Sequence, residues 1–206
     1  QLGNDVLYIT KMPWDQDPSQ NYWKYVRRPN PDHDDYTAIR SRVDAAAYSA
    51  HSVFIDRKTV KYRSSSVEGT LLIAVTQDYA PILDIHFQSG RFFSLYEYQS
   101  ASPKIVIGHE VAQNLFPNVN AVGKTVKLSG MRMQIIGVIE QSGDALINPV
   151  NFDNVILVSY PMAERIANLR NTNIFGTNLM VKARENVPVE KLKDEVTYVL
   201  RAERLI

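Results

Sequence analysis

The chain has 206 residues, 45% of them hydrophobic and 22% charged, a composition typical of a globular domain with ample material for a core. Its 23 basic and 22 acidic residues give a formal net charge of +1, so no overall field attracts nucleic acid or an anionic membrane. The longest strictly apolar run, residues 71–75, is far shorter than the ~20 residues of a membrane span. The absence of cysteine excludes disulfides, thiol nucleophiles and cysteine-based metal sites.

The first third of the chain predicts a strand, a long loop and a short helix. β-Branched and aromatic residues predict the strand over 6–10. Four prolines among polar residues make 12–34 a loop of unusual length. A helix is expected over 35–43, with Asp34 as its N-cap. Because the chain begins at Gln1 and not at Met, we expect it to be an excised or processed part of a larger protein.

The middle of the chain is predicted to be rich in strands. Residues of alternating polarity predict strands over 52–56, 59–63 and 71–75, the first two joined by a turn at Arg57-Lys58. Ser129-Gly130 predicts a second hairpin, between 124–128 and 131–140. The other expected elements are helical turns over 77–83, a strand over 104–107 and a helix over 110–116 that Pro117 ends.

The end of the chain returns to alternating strand and helix. Strands are predicted over 154–159 and 177–182, with a helix from Pro161 through Leu169 between them. A last helix is expected from about 187 to 204. The class is therefore α+β, with strand–helix units at both chain ends and a β-rich middle. We predict two lobes, one built discontinuously from 1–68 and 170–206 and the other inserted between them over 69–169.

The segment from Asn118 to Thr125 ends like a phosphate-binding loop, with Gly123-Lys124-Thr125. The first glycine of that motif is missing, since position 118 is Asn. The context is also inverted, because a helix is predicted before the loop and a strand after it. We therefore interpret the segment as the turn that enters a strand.

Two acidic clusters raise the possibility of a metal-assisted hydrolase. Asp32-His33-Asp34-Asp35 offers the oxygen and nitrogen ligands that a divalent cation accepts. His109-Glu110 could act as a base pair at a strand–helix junction. In both places the alternative is structural. Aspartate caps helices, and the helix macrodipole stabilises a glutamate in the first turn. No catalytic constellation is predicted, and the protein is not expected to be an enzyme.

An aromatic set in the loop 12–36 supports a different hypothesis, an extracellular domain that binds glycans or peptides. The alternative is that the loop folds back and buries its tryptophans over the first sheet. The residues that would contact a partner are Trp14, Tyr22, Trp23 and Tyr25.

A series of short motifs resembles a known family. In chain order they are Val75-Thr76-Gln77-Asp78-Tyr79, Gly90-Arg91-Phe92-Phe93, Ile105-Val106-Ile107-Gly108, Leu115-Phe116-Pro117, Val122-Gly123-Lys124-Thr125-Val126 and Ile135-Ile136-Gly137-Val138-Ile139. In this order and spacing they resemble the periplasmic core domain of MacB-like, FtsX-related ABC transporter permeases. Within them we expect a fold signature that specifies turns, close approaches and core packing, not ligand binding. Its members are Gly90, Arg91, Phe92, Gly108, Leu115, Phe116, Gly123, Lys124, Gly137 and Val138.

The resemblance implies a mechanical role in transport. The domain would lie on the periplasmic face of a bacterial inner membrane, between transmembrane helices of the parent permease. ATP would bind to a separate cytoplasmic domain or subunit, so no cofactor is expected in this chain. Motion of the membrane helices would move the two lobes by a hinge or shear, and so drive export or signal to a partner. The implied partners are a second permease copy and a periplasmic adaptor or envelope protein.

Overall fold

A computed structural model describes residues 5–10, 30–142, 151–169 and 176–204. Its helices are α1 (His33–Arg42), α2 (Tyr79–Leu83), α3 (Leu95–Gln99), α4 (His109–Leu115), α5 (Tyr160–Ala163) and α6 (Val189–Glu203). Its strands are β1 (Val6–Ile9), β2 (Ala46–Tyr62), β3 (Ser65–Val75), β4 (Phe87–Gly90), β5 (Lys104–Ile107), β6 (Thr125–Leu128), β7 (Met131–Ile139), β8 (Val155–Ser159) and β9 (Thr177–Ala183). The α+β class predicted from the sequence is confirmed.

The strands of the described ranges form one mixed sheet. Its order is β1-β9-β2-β3-β8-β5-β7-β4, and β6 pairs with both β2 and β7. The pairs β3–β8 and β5–β7 are parallel, and the other pairs are antiparallel. Strands from the two chain ends, β1 and β9, therefore lie side by side at one edge of the sheet.

β2 is a single strand of 17 residues, which corrects the turn predicted at Arg57-Lys58. Arg57 pairs with Leu71 and Lys58 with Thr70, so both lie inside the β2–β3 ladder. Register shifts on either side of these residues absorb the break in alternating polarity that suggested a turn. The chain reverses after Tyr62 instead, where Arg63 has a φ of 52°.

Helix boundaries also differ from the prediction. Asp32, and not Asp34, is the N-cap of α1, because Asp32 and Asp35 form a reciprocal capping box with N–H···O distances of 2.9 and 3.1 Å. The helix predicted from Pro161 through Leu169 is shorter, since α5 ends at Ala163 and turns follow it. β4 and α3 were not predicted. The turn at Ser129-Gly130 between β6 and β7 is confirmed.

Three apolar cores hold the sheet and helices together. The chain-end core lies under α1 and α6 and is built from residues such as Ile39, Leu179, Leu192 and Val196. The other two cores, called A and B, lie on opposite faces of the central strands β5 and β8, because side chains alternate along a strand. In β5, Ile105 and Ile107 lie in core A and Val106 lies in core B. In β8, Ile156 and Val158 lie in core A, and Val155 and Leu157 lie in core B.

An ion pair joins the two helices of the chain-end core. The Arg204 guanidinium, just after α6, donates to both carboxylate oxygens of Asp35, whose side chain is 2% exposed. A second pair between the same helices, Arg42–Glu203 at 3.0 Å, is far more exposed. No helix in the described part of the chain combines the length and apolarity needed to cross a membrane.

These two pairs give a matched test of the chain-end core. Arg204→Gln leaves the buried Asp35 carboxylate without its cation and should lower the free energy of unfolding by roughly 3 kcal/mol. Arg42→Gln removes an exposed partner and should cost less than about 1 kcal/mol. Urea denaturation at neutral pH measures both variants. Equal losses would show that the Asp35 pair does not hold the helices together.

Candidate functional site

Four of the fold-signature residues lie where the end of β4 pairs with β7: Gly90, Arg91, Gly137 and Val138. Gly90 has a φ of +73° and pairs with Gly137, and the Arg91 N–H donates to the Ile136 carbonyl at 3.0 Å. A Cβ atom on Gly90 would lie 2.1 Å from the Ile136 oxygen, and one on Gly137 would lie 2.4 Å from the Arg91 oxygen. Only glycine at both positions lets the two backbones approach this closely.

Arg91 anchors the short helix that follows this contact. Its guanidinium donates to both oxygens of Glu97 at 2.6 and 2.9 Å. Glu97 is 7% exposed and also accepts the Ser94 N–H, while the Ser94 hydroxyl accepts the Glu97 N–H. The pair thus combines a bidentate ion pair with a capping box at the start of α3.

The ion pair sets the charge state of Glu97. The Arg91 hydrogen bonds lower the pKa of Glu97 from 4.5 to about 2, although its partial burial acts in the opposite direction. The backbone and side-chain bonds with Ser94 lower the pKa further. Lys104 adds a second cation, with its Nζ 3.9 Å from the Glu97 carboxylate and 2.5 Å from Gln134 Oε1. Glu97 is therefore an ionised, structural carboxylate.

An open cavity of about 400 Å³ lies beside this cluster. Arg91 and Lys104 line it, but both cations are engaged by Glu97 and Gln134 within the protein. These bonds hold the backbone around the start of α3 in place, while the Arg91 side chain stays 57% exposed. The other lining residues include Gly90, Val122, Gly123 and Gln134.

The remaining signature residues lie at close approaches or in the cores. Gly108 is the N-cap of α4, and a Cβ atom there would lie 2.1 Å from the Phe152 oxygen. Phe92 is half-buried against Phe93, with 4.9 Å between ring centroids. Leu115, Phe116 and Val138 are buried, with Phe116 packed on Tyr62 at 4.6 Å.

The loop that resembled a phosphate-binding motif uses its amides within the protein. The Gly123 N–H donates to the Ile135 carbonyl at 2.8 Å, and the Lys124 N–H donates to the Ala121 carbonyl at 3.1 Å. Gly123 has a φ of +87° and leads directly into β6. The predicted context, a helix before the loop and a strand after it, is confirmed.

The acidic clusters have structural partners. Asp32 caps α1 and Asp35 pairs with Arg204, while Asp34 is exposed. Glu110 lies in the first turn of α4, as predicted, and His109 Nδ1 lies 2.7 Å from Gln88 Oε1. Across the residues that the structure describes, no three histidine or acidic side chains are placed to hold a metal ion.

Sequence reasoning missed Glu97 and Lys104, although one signal was available. Ser94-x-x-Glu97 is the sequence pattern of a capping box and predicts a helix start at that place. The predicted partner-contact residues Trp14, Tyr22, Trp23 and Tyr25 lie outside the described residues. The aromatic loop therefore stays a hypothesis from sequence.

The order of the motifs and the fold agree with one family of transporter domains. A family model described as the MacB-like periplasmic core domain matches residues 1–199. The chain belongs to this family. The family is a periplasmic domain of transporter permeases and not a catalytic domain.

Curated relatives and solved structures agree with the assignment to the MacB-like family. The chain is 29% identical over 107 residues to the macrolide export ATP-binding/permease protein MacB of Bdellovibrio bacteriovorus, a match that covers 52% of the chain and 16% of that relative. It is 28% identical over 100 residues to the pyoverdine export ATP-binding/permease protein PvdT of Pseudomonas aeruginosa, covering 48% of the chain and 14% of that relative. The chain thus spans about a sixth or less of these relatives.

Two solved structures have the same fold. One is the periplasmic region of MacB from Actinobacillus actinomycetemcomitans, with a TM-score of 0.75 at 14% identity over 97% of this chain and 84% of the other. The second is the extracellular domain of the ABC-type transporter YknZ from Gram-positive bacteria, with a TM-score of 0.70 at 18% identity over 97% and 94% of the two chains.

The β4–β7 contact makes a testable prediction about Gly90. Gly90→Ala should lower the free energy of unfolding by at least about 3 kcal/mol, because the added methyl group meets backbone atoms of β7. Gly69→Ala is the matched control, since Gly69 has a similar φ of +68° but no atom within 4 Å of the added Cβ. It should cost only about 1 kcal/mol. Chemical denaturation measures the free energy of unfolding of both variants. Equal losses would contradict a close backbone contact at Gly90.

The Arg91–Glu97 pair predicts an acid-dependent part of the stability. Glu97 has a pKa lowered from 4.5 to about 2, so its contribution is complete above pH 5 and is lost as the pH falls toward 2. Glu97→Gln should be less stable than the wild type at pH 7, and the difference should shrink at pH 3. Unfolding free energies measured across this pH range test it. If the difference in stability between wild type and Glu97→Gln does not change with pH, the ionised Glu97 carboxylate does not contribute to stability as inferred.

Proposed function

We propose that this domain couples motion of membrane helices in a parent ABC transporter permease to substrate export or to a partner signal, with no catalysis of its own. Membership of the MacB-like family supports the setting, a periplasmic domain of a transporter. ATP would be bound by a separate domain or subunit, as the names of the ATP-binding/permease relatives suggest. The parent would sit in an inner membrane and act with a second permease copy and an envelope partner.

The continuity of β2 is the observation that carries the mechanical part of this proposal. At its start, Ala46 packs against the chain-end core; farther along, Ala50 lies in core B, and Val60 near its end lies in core A. A strand of 17 residues extends roughly 50 Å. A displacement applied at the chain ends would therefore reach the far end of β2 through one unbroken backbone.

The far end of β2 meets β6 over a short ladder. Val60 pairs with Leu128 and Lys61 with Lys127, and these two positions are all of the β2–β6 register. In the two-lobe division predicted from sequence, Lys61 lies in the lobe 1–68 and 170–206, whereas Lys127 lies in the inserted lobe 69–169. The β2–β3 ladder also joins these two lobes, from Ser52–Val75 to Lys58–Thr70. The two-residue β2–β6 contact is the shorter of the two connections and so the more suitable place for hinge or shear motion.

A disulfide across this junction tests the coupling. This domain has no native cysteine, so Lys61→Cys with Lys127→Cys creates a single possible bridge within it, between exposed, directly opposed residues. In the reconstituted parent transporter, oxidation should reduce the rate of ATP hydrolysis several-fold, and a reductant should restore it. The reason is that the lobes can no longer shift during the cycle.

The matched control uses the same cysteine within one lobe. Lys127→Cys with Arg132→Cys bridges opposed residues of the β6–β7 hairpin, so oxidation should leave the rate unchanged. If the two bridges have equal effects, or if neither affects the rate, the proposed motion at the β2–β6 junction is wrong.

A further inference from the structure

A cavity of about 230 Å³ lies between the start of α1, β2 and α5. It is separate from the β4–β7 contact, and none of the fold-signature residues lines it. Two imidazoles, His33 and His51, form its inner wall together with Tyr160. Three carboxylates, Asp32, Asp34 and Glu164, also line it, and each belongs to an exposed residue. The cavity therefore has an aromatic floor and an acidic rim.

His51 is the unusual member of this wall. It is 1% exposed, and its backbone is satisfied, since its N–H donates to Thr76 Oγ1 at 2.8 Å and its carbonyl accepts the Thr76 N–H at 3.1 Å. Neither ring nitrogen has a hydrogen-bond partner in the described part of the chain. Two other atoms of lining residues, His33 Nδ1 and Asn30 Oδ1, are also buried without a hydrogen-bond partner among the described residues. Buried polar atoms without partners are rare, and a water or a ligand in the cavity would satisfy these.

The rings of the floor form a continuous aromatic surface. His33 stacks on Tyr160 with 3.9 Å between centroids and 5° between planes. His51 lies 5.7 Å from His33 and 5.5 Å from Tyr160. Burial lowers the pKa of both imidazoles, that of His51 to about 3, so they are neutral near pH 7 and each offers one acceptor nitrogen.

The charges of the described residues that line the cavity favour a positive ligand. Of the described residues that line it, none is Lys or Arg, whereas three are acidic. Arg204 lies near Asn30 but donates to its backbone oxygen and to the Asp35 carboxylate. Carboxylates at the mouth attract cations, and a face of aromatic rings stabilises a cation or flat group above it.

We propose that this cavity binds a small organic cation, a planar amidinium- or ammonium-bearing molecule whose N–H groups donate to Asn30, His51 and the acidic rim. Cavities of this size accommodate only a small molecule. A metal ion is disfavoured because, in the described ranges, no group of three suitable side chains surrounds a common point. This site goes beyond the transport role proposed above and does not depend on it.

Three probes of similar shape and different charge test the proposal in the intact chain. Benzamidine is cationic, benzamide is neutral and benzoate is anionic, and each can be titrated while the imidazole ring signals of His33 and His51 are followed by NMR. Benzamidine should shift both sets of signals saturably and bind at least tenfold more tightly than benzamide. Benzoate should not bind. The affinity for benzamidine should fall as salt is added.

Variants locate the binding within the cavity. Glu164→Gln removes one rim charge and should weaken benzamidine binding several-fold. Asp194→Asn removes an exposed carboxylate on α6, outside the cavity, and should leave the affinity unchanged. His51→Phe replaces the unpartnered ring with an apolar one and should weaken binding at least tenfold. If His51→Phe does not fold, the comparison of Glu164→Gln with Asp194→Asn still decides the location.

Several results would overturn the proposal. If none of the probes shifts the imidazole signals, or if all three shift them equally, the cavity holds water only. Tighter binding of benzoate than of benzamidine would show that the cavity prefers an anion and not a cation. Equal weakening by Glu164→Gln and Asp194→Asn would show that benzamidine binds through the general charge of the surface and not in this cavity.

Discussion

The unbroken backbone of β2 is the constraint on which the rest of the fold depends. It pairs with β9 over its first half, with β3 over its second half and with β6 at its end. It thereby connects the layer built from the chain ends to the hairpins farthest from them. Each of the three cores takes at least one residue from β2 or packs directly on one. Under the transport role proposed above, this strand would be the mechanical connection between parts that the chain order separates.

The residues of the predicted fold signature lie at close backbone contacts or in the cores. Where β4 pairs with β7, the absence of side chains on Gly90 and Gly137 lets the two backbones approach closely. Arg91, the next residue, then donates to the Glu97 carboxylate. In the described ranges a single carboxylate, that of Glu97, faces the two cations Arg91 and Lys104.

The sequence predicted local elements well where one physical signal dominated. Ser129-Gly130 correctly indicated a hairpin, and Pro161 correctly marked the first turn of a helix. It failed at Arg57-Lys58, because exposed polar residues suit a turn and the solvent-exposed part of a long strand equally well. It also missed the His33–His51 cavity, whose walls come from α1, β2 and α5. Only the tertiary fold brings those residues together, so no local pattern could have revealed the site.

The pairing of β2 with β9 has a consequence for how the domain assembles after synthesis. Ala46, at the start of β2, pairs with Ala183, so one edge of this strand has no partner until β9, far along the chain, has been synthesised. Sheets that depend on such distant pairings fold slowly, because a long loop must close before any contact rewards it. During that interval the first half of β2 presents an open edge that could pair with another chain.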